Sequence, residues 1–327
     1  MDGRTVRVDT GFELPATGHP AGQYRRAGAH RAGVHATPVP GAGEGGTVVE
    51  SPRAPRTGGP ARPAGDDFER PSSARVYDFL LGGTSHGEVD RALGRDLVEA
   101  EPLVVSMVRE NRSFLRRAVT FLAHAGIDQF LDLGSGIPTM GSTHEVARRV
   151  VPDARVAYVD VDPVAVTHGE LLLGAAEGVA VGQADLRRPA EVLAAPAVAE
   201  VLDPSRPVGI LAFSVLQHVS DDDEARDVVA EYLACVVPGS ALAVSHLSGD
   251  DPRIDIDALR RLSSAYSRGP ITPRSAARLA AIVAGVDLVD PGLVFAAQWR
   301  PEPRRPGGPY GEPCCGHRAA VGFVPTR

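Results

Sequence analysis

The sequence predicts an α/β fold built on a mostly parallel sheet, and three observations carry that prediction. From Asp128 onward, apolar runs of strand length alternate with stretches of helix length. The runs are apolar throughout, as strands covered on both faces are. Gly134 and Gly136 follow the first run, at the carboxyl end of a strand, where sheets of this kind hold ligands.

Residues 1–65 come first, dense in Gly, Pro, Ala and Arg and without a sustained period of 2 or 3.6. Such a stretch buries too little apolar surface to offset its ordering entropy, so a disordered tail is expected. Order is expected from Asp66. "PSSARVYDFLLGG" reads as a helix capped by Ser72 or Ser73 and stopped by Gly82-Gly83. "EVDRALGRDLVEAEP" reads as a second helix ended by Pro102. The third is longer, with Val104, Val108, Phe114, Leu115, Val119 and Leu122 at helical spacing and Gly126 closing it. These helices form a cap over 66–125, and 126–327 form the core of the same domain.

The core begins with the strand "DQFLDLG", then a helix at "STHEVARRVVP" capped by Ser142 or Thr143 with Glu145 in its first turn. The strand "RVAYVD" and a helix from Pro163 follow, with proline at the first helical position. "VAVGQAD" and "PVGILAFSV" are the third and fourth strands, "DDDEARDVVAEYLACVV" a helix and "GSALAVSH" the fifth strand. A helix at "PRSAARLAAIVA" and two strand candidates, "VDLVDPGLVF" and "HRAAVGFVP", close the chain; the late pair suggests an antiparallel insertion at the sheet edge.

Composition narrows the partners. The chain has 327 residues, 43% of them hydrophobic, and a net charge of −7. Nothing in that balance draws it to nucleic acid or an anionic membrane. No apolar run reaches the ~18 residues a membrane span needs, and no signal peptide is expected. All 34 basic residues are arginine, which reads as coding bias. Cys235, Cys314 and Cys315 make a poor disulfide framework. Cys314-Cys315 beside His317 lack a fourth ligand at zinc spacing, and the acids of "SDDDEAR" open a helix, where its dipole favours them. No metal site is expected, and a reducing cytoplasm fits best.

The glycine loop decides the ligand. The dinucleotide fingerprint needs G-x-G-x-x-G, but Ile137-Pro138-Thr139 follow Gly136. Asp132, two residues before Gly134, would repel a pyrophosphate by several kcal/mol at an effective dielectric of about 20. S-adenosylmethionine removes the conflict: it carries a sulfonium and an ammonium and no phosphate. Asp160 ends the second strand, where a carboxylate can accept from both vicinal ribose hydroxyls. Asp185 follows the third strand, placed to accept from an adenine amino group with Leu186 on the ring. Each aspartate alone could cap a helix or form a turn, but three at successive strand ends agree with one nucleoside ligand. Ser135, Val161 and Ser214 complete the predicted contacts, and Arg112 or Arg109 on the third helix is a candidate for the cofactor carboxylate.

With these residues in place, 66–327 resembles an actinobacterial family of class I S-adenosylmethionine-dependent methyltransferases, formerly known as a domain of unknown function. The segments that carry the resemblance are "PSSARVYDFLLGG", "RENRSFLRRAVTFLAHAGIDQFLDLGSGIPT", "THEVARRVVPDARVAYVDVDPVAVTHGELLL", "QADLRRP", "DPSRPVGILAFSVLQHVSDDD", "PGSALAVSH", "ITPRS" and "VDPGLVFAAQWRP". The resemblance implies a Rossmann-like fold of seven strands with the last antiparallel, and cofactor contacts at Gly134, Gly136 and Asp160. Two places depart from the family pattern: Thr84-Ser85-His86 stand where Lys-Asp-Asn is usual, and Gln217-His218 where His-Phe is usual.

His218, just past the fourth strand, is a candidate proton acceptor, and His86 is a second candidate if the Gly82-Gly83 turn faces the ligand. Tyr77 to His86 is expected to form part of a lid. The favoured activity is methyl transfer to a small molecule. A protein that binds the nucleoside without turnover is the alternative, and an NAD-dependent oxidoreductase a weaker one. Neither the acceptor nor the oligomeric state can be read from the sequence.

Overall fold

A computed structural model describes residues 69–139, 141–174, 176–264, 271–302 and 316–325. The expected tail and Cys314-Cys315 lie outside the described residues. Helices α1 (Ser73–Leu81), α2 (Glu88–Ala100) and α3 (Val104–His124) precede the sheet. Five parallel strands follow: β1 (Gln129–Leu133), β2 (Arg155–Asp160), β3 (Val179–Gln183), β4 (Gly209–Phe213) and β5 (Ala241–Leu247). Between them run α4 (Thr143–Ala147), α5 (Pro163–Leu173), α6 (Pro189–Ala194), α7 (Pro196–Val201) and α8 (Asp222–Ala234). The last part holds α9 (Ile256–Ser263), α10 (Ala276–Ile282), β6 (Asp287–Leu288), β7 (Val294–Phe295) and β8 (His317–Phe323).

The strand order is β3-β2-β1-β4-β5-β8-β6, with β7 also paired to β8. Strand β8 runs antiparallel to β5, Leu242 opposite Gly322 and Leu247 opposite His317. The antiparallel strand therefore lies between β5 and the edge. The edge strand itself is split into β6 and β7 by the turn at Asp290–Gly292. Seven strand positions are filled by eight segments.

Each central strand is apolar on both faces because both are covered. Phe130, Val156, Tyr158, Leu211 and Val321 pack with Phe114, Leu122 and Trp299 on the α3 side. Leu131, Val159, Ile210 and Leu242 pack with Val228, Tyr232 and Leu279 on the α8 and α10 side. A third cluster, Val76, Leu80, Leu97, Met107, Leu247 and Leu259 among its members, joins α1, α2, α3 and α9 beyond the end of β5.

Some elements differ from expectation for local reasons. Ser72 is the N-cap residue of α1, but its hydroxyl donates to Asp162 (2.6 Å) and caps nothing. Ser142 and Glu145 do form the capping box of α4, while Thr143 turns its hydroxyl to Asp132. Helix α4 is only one turn long and ends well before Pro152. The Gly82-Gly83 stop uses both glycines. Gly82 takes φ +82 at the C-cap, and a Cβ on Gly83 would sit 2.1 Å from Asp78 Oδ1.

Candidate active site

The carboxyl ends of β1, β2, β3 and β4 open into one cavity of about 680 Å³, roofed by α1 and walled by α3, within the size range of small-molecule sites. Gly134 and Gly136 bend the chain over its floor with φ of +63 and +60. A Cβ on Gly134 would meet Val215 Cγ2 at 2.1 Å, so the backbone passes there only as glycine. The Gly134 amide donates to Val159 O (2.8 Å), pinning the loop to β2.

Asp160 is fixed by two amides, Gly136 N to Oδ2 (2.8 Å) and Asp162 N to Oδ1 (2.9 Å). Each oxygen keeps a second lone pair. Burial raises its pKa, and the same two amides oppose the rise. Asp132 is buried and accepts from Thr143 Oγ1 (2.6 Å). Burial pushes its pKa from the ordinary 3.8 to about 6, against the pull of Thr143 and the Arg112 guanidinium. Arg112 lines the same cavity, stacks above the Tyr77 ring at 5.9 Å, and has a buried Nε with no hydrogen-bond partner. Arg109 does not line the cavity.

Ser135, Val161, Leu186 and Ser214 also line it. Val161 leaves a large apolar side chain 38% exposed, an available face for a flat ring. Asp185 lines the cavity, but its carboxylate is held by Arg187 through Nη2 (2.6 Å) and Nε (3.1 Å), which lowers its pKa. It is thus less available to an adenine amino group than its position suggested. Leu186 packs against the α8 side of the core as well as facing the cavity.

The two histidine candidates part company. His218 faces the cavity on the short 3-10 turn after β4; it is exposed to solvent there, and the desolvation it undergoes shifts its pKa downward. His86 is not in the cavity wall. Its Nδ1 lies 3.1 Å from Asp78 Oδ2 and its ring packs edge-on to Phe79, so Asp78 turns it away from the ligand. The expected lid divides in the same way: Tyr77, Asp78, Leu80 and Leu81 line the cavity, and residues 82–87 do not.

Asn111, Ser245, His317 and Arg274, in the cavity wall or directly behind it, were not singled out from the sequence. Asn111 donates to Tyr77 Oη (2.9 Å) and accepts from Ser245 Oγ, whose oxygen in turn receives the Ser214 amide (3.1 Å). Ser214, at φ +53, bonds through its hydroxyl to Gln217 Nε2 (2.8 Å) and to His317 Nε2 (2.9 Å). His317 is 5% exposed, is held neutral by burial with a pKa of about 3, and has no partner at Nδ1. Arg274, fully buried, donates to the carbonyls of Leu216, Val219 and Asp221, to Asp222 Oδ1 (2.7 Å) and to His246 Nε2 (2.9 Å). It sets the path of the loop that carries Gln217 and His218. Among the described residues, no group of three His, Cys, Asp or Glu could hold a metal ion, and no helix is long and apolar enough to cross a membrane.

Comparison with known proteins adds the following. Residues 61–322 match the model of a family described as S-adenosyl methyltransferase. The chain is similar to a Thermobifida fusca YX protein whose crystal structure was solved as a candidate methyltransferase. The two are 40% identical with a TM-score of 0.73, over 81% of this chain and 98% of that one. It is also similar to a DUF574 family protein from Streptomyces avermitilis MA-4680, at 33% identity and a TM-score of 0.73, over 79% of this chain and 99% of that one. No functionally curated protein matches the chain.

Proposed function

We infer the reaction from one premise: this chain belongs to the S-adenosyl methyltransferase family, and S-adenosylmethionine is its cofactor. Its activity is methyl transfer from that cofactor, and the reading advanced is that the acceptor is a small molecule bound in the same cavity. The observation that carries the cofactor's placement in this cavity is the pairing of opposite charges across it. Asp132 stands at the end of β1, and Arg112, with its unpartnered Nε, faces it from α3. A zwitterionic amino-acid end fits between them, its ammonium towards Asp132 and its carboxylate towards the guanidinium.

In this reading Gly134, Ser135 and Gly136 let the backbone pass close beneath the ligand, Asp160 accepts from the ribose hydroxyls, and Val161 and Leu186 lie against the adenine. Asp185, already paired with Arg187, contributes less. Bound there, S-adenosylmethionine supplies a methyl group that leaves a sulfonium, the electron pair of the broken bond staying on sulfur as a neutral thioether. The chain positions the acceptor for in-line attack. His218, neutral and facing the cavity, takes the proton that the acceptor gives up as its lone pair forms the new bond. Ser214 and Gln217 order the loop beside it.

Binding tests the charge pairing. Arg112→Gln should weaken S-adenosylhomocysteine by roughly 1.5–3 kcal/mol, the range for hydrogen bonds to charged groups. It should leave 5′-methylthioadenosine, which lacks the amino-acid end, unchanged. Equal loss for both ligands in calorimetry would remove Arg112 from the carboxylate site.

A further inference from the structure

The cavity continues past the strand ends that would hold the cofactor. In the order β3-β2-β1-β4-β5-β8, the nucleoside side lies over β1 to β3, and the opposite side lies over the end of β5 and the start of β8. There its wall changes character. Leu80, Leu97, Val104, Met107, Leu259 and Ile271 line it, from α1, α2, α3, α9 and the segment before α10. All are buried members of the third apolar cluster.

Among the described residues, charge is confined to the other end. The acidic and basic side chains that these residues bring to the cavity wall stand on or just after the ends of β1, β2 and β3, at Arg112, and at Arg70, Arg75 and Asp78 at and before α1. Arg75 is paired with Asp90, and Asp78 is engaged by Thr139 Oγ1 (2.9 Å) and the Ser85 amide (2.7 Å). Helices α2 and α9, Leu247 and Ile271 bring no charged group to the wall. Polar groups at this end are few. The Tyr77 hydroxyl and Ser263 Oγ are both hydrogen-bonded within the protein. His317, at the start of β8, keeps a buried Nδ1 without a partner.

We propose that this second chamber is the acceptor site, and that its acceptor is an uncharged, mainly apolar molecule with one hydrogen-bonding group directed to His317. The proposal rests on the methyltransfer reading above. A charged acceptor would leave water for a wall whose described residues offer no counter-charge, and an unpaired ion in such surroundings is strongly disfavoured. An apolar body gains by replacing water along the leucine, valine and methionine wall. A buried Nδ1 is satisfied by a hydroxyl or carbonyl on that body, which fixes the molecule's orientation against the methyl donor. The chamber also explains the cap: α1, α2 and α9 supply little to the sheet and meet around this volume.

The test uses full-length protein saturated with S-adenosylhomocysteine and three probes of one shape: 1-naphthol, 1-naphthoate and 1-naphthylmethylammonium. Saturation by the nucleoside is established first by calorimetry. Its failure counts against the methyltransfer reading and is a separate result from anything the probes show. The expected outcome is that 1-naphthol binds at least tenfold more tightly than either ion, and that hydrogen exchange is slowed in 103–108 and 256–263. In His317→Phe, saturated with S-adenosylhomocysteine at whatever concentration its own calorimetry requires, the advantage of 1-naphthol over naphthalene should disappear. Where that variant does not fold, the charge series and the exchange map on the unaltered protein decide alone. Saturation by the nucleoside with no binding of 1-naphthol, with ions bound as tightly as the neutral probe, or with protection away from those two segments, overturns the proposal.

Discussion

In the proposed reading, Asp132 opposes stability and serves binding. It is buried, and its pKa is raised from 3.8 to about 6. The folded protein holds this proton more tightly than the unfolded chain does. Ionisation therefore costs stability: the cost is absent below pH 4, grows between 4 and 6, and is complete above. At about 1.4 kcal/mol per pKa unit it is on the order of 3 kcal/mol. A cationic ligand group removes that cost, because it favours the ionised form. Asp132→Asn should therefore raise the melting temperature of the ligand-free protein at pH 7.5, leave it unchanged near pH 4, and weaken S-adenosylmethionine. Thermal melts at the two pH values, with and without ligand, check all three. A variant less stable at pH 7.5 would mean that the carboxylate is structural. The sequence disclosed Asp132, Asp160 and the glycines because each sits within a few residues of a strand end. It did not disclose that Asp185 is taken by Arg187, nor that Ser214 meets His317, 103 residues further on. Only the insertion of β8 beside β5 brings that pair together.

Helix α1 acts at the scale of an element. Its two ends are tied to two different loops of the cofactor side, Ser72 to Asp162 after β2 and Asp78 to Thr139 after β1. Between the ties Val76 and Tyr77 roof the cavity, and Leu80 continues the roof beyond Asp78. A ligand entering along the strand ends must pass this strap, and a ligand in place should steady it. Hydrogen exchange should slow in 72–81 together with 134–137 when S-adenosylhomocysteine is added, and change little in 82–87. Slowing confined to the glycine loop would make α1 a fixed wall. The long elements were legible in the sequence because their periodicity runs for several turns or their apolar runs are unbroken: α2, α3, α8 and β1 to β5 all stand where the pattern puts them. Helix α9 escaped because it spans only two turns. So did α6 and α7, each of fewer than two turns, which abut at Ala195, where the backbone is extended. The strands β6 and β7, two residues each, both fall within the strand candidate "VDLVDPGLVF"; the turn at Asp290–Gly292 that splits it was not foreseen.

For the molecule as a whole, the order of strands determines what the site can be. Parallel strands β3, β2, β1 and β4 present consecutive carboxyl ends, and with them the aspartates and glycines, along one edge. The antiparallel β8 then carries His317 to the far end of the same edge. Residues 1–65 take no part in this account, and we propose that the folded unit is 66–327. A chain shortened to begin at Asp66 should melt within a few degrees of the full-length protein and bind S-adenosylhomocysteine equally well. A large loss of either would show that the leading segment docks on the domain. We propose that the ligand's ribose is held at the end of β2, by Asp160. Calorimetry of S-adenosylhomocysteine against Asp160→Ala tests it most directly, with the variant's melting curve confirming that it folds. The predicted result is one molecule bound per chain in the unaltered protein and a loss of roughly 1.5–3 kcal/mol in the variant. Undiminished binding to a folded Asp160→Ala protein would contradict it.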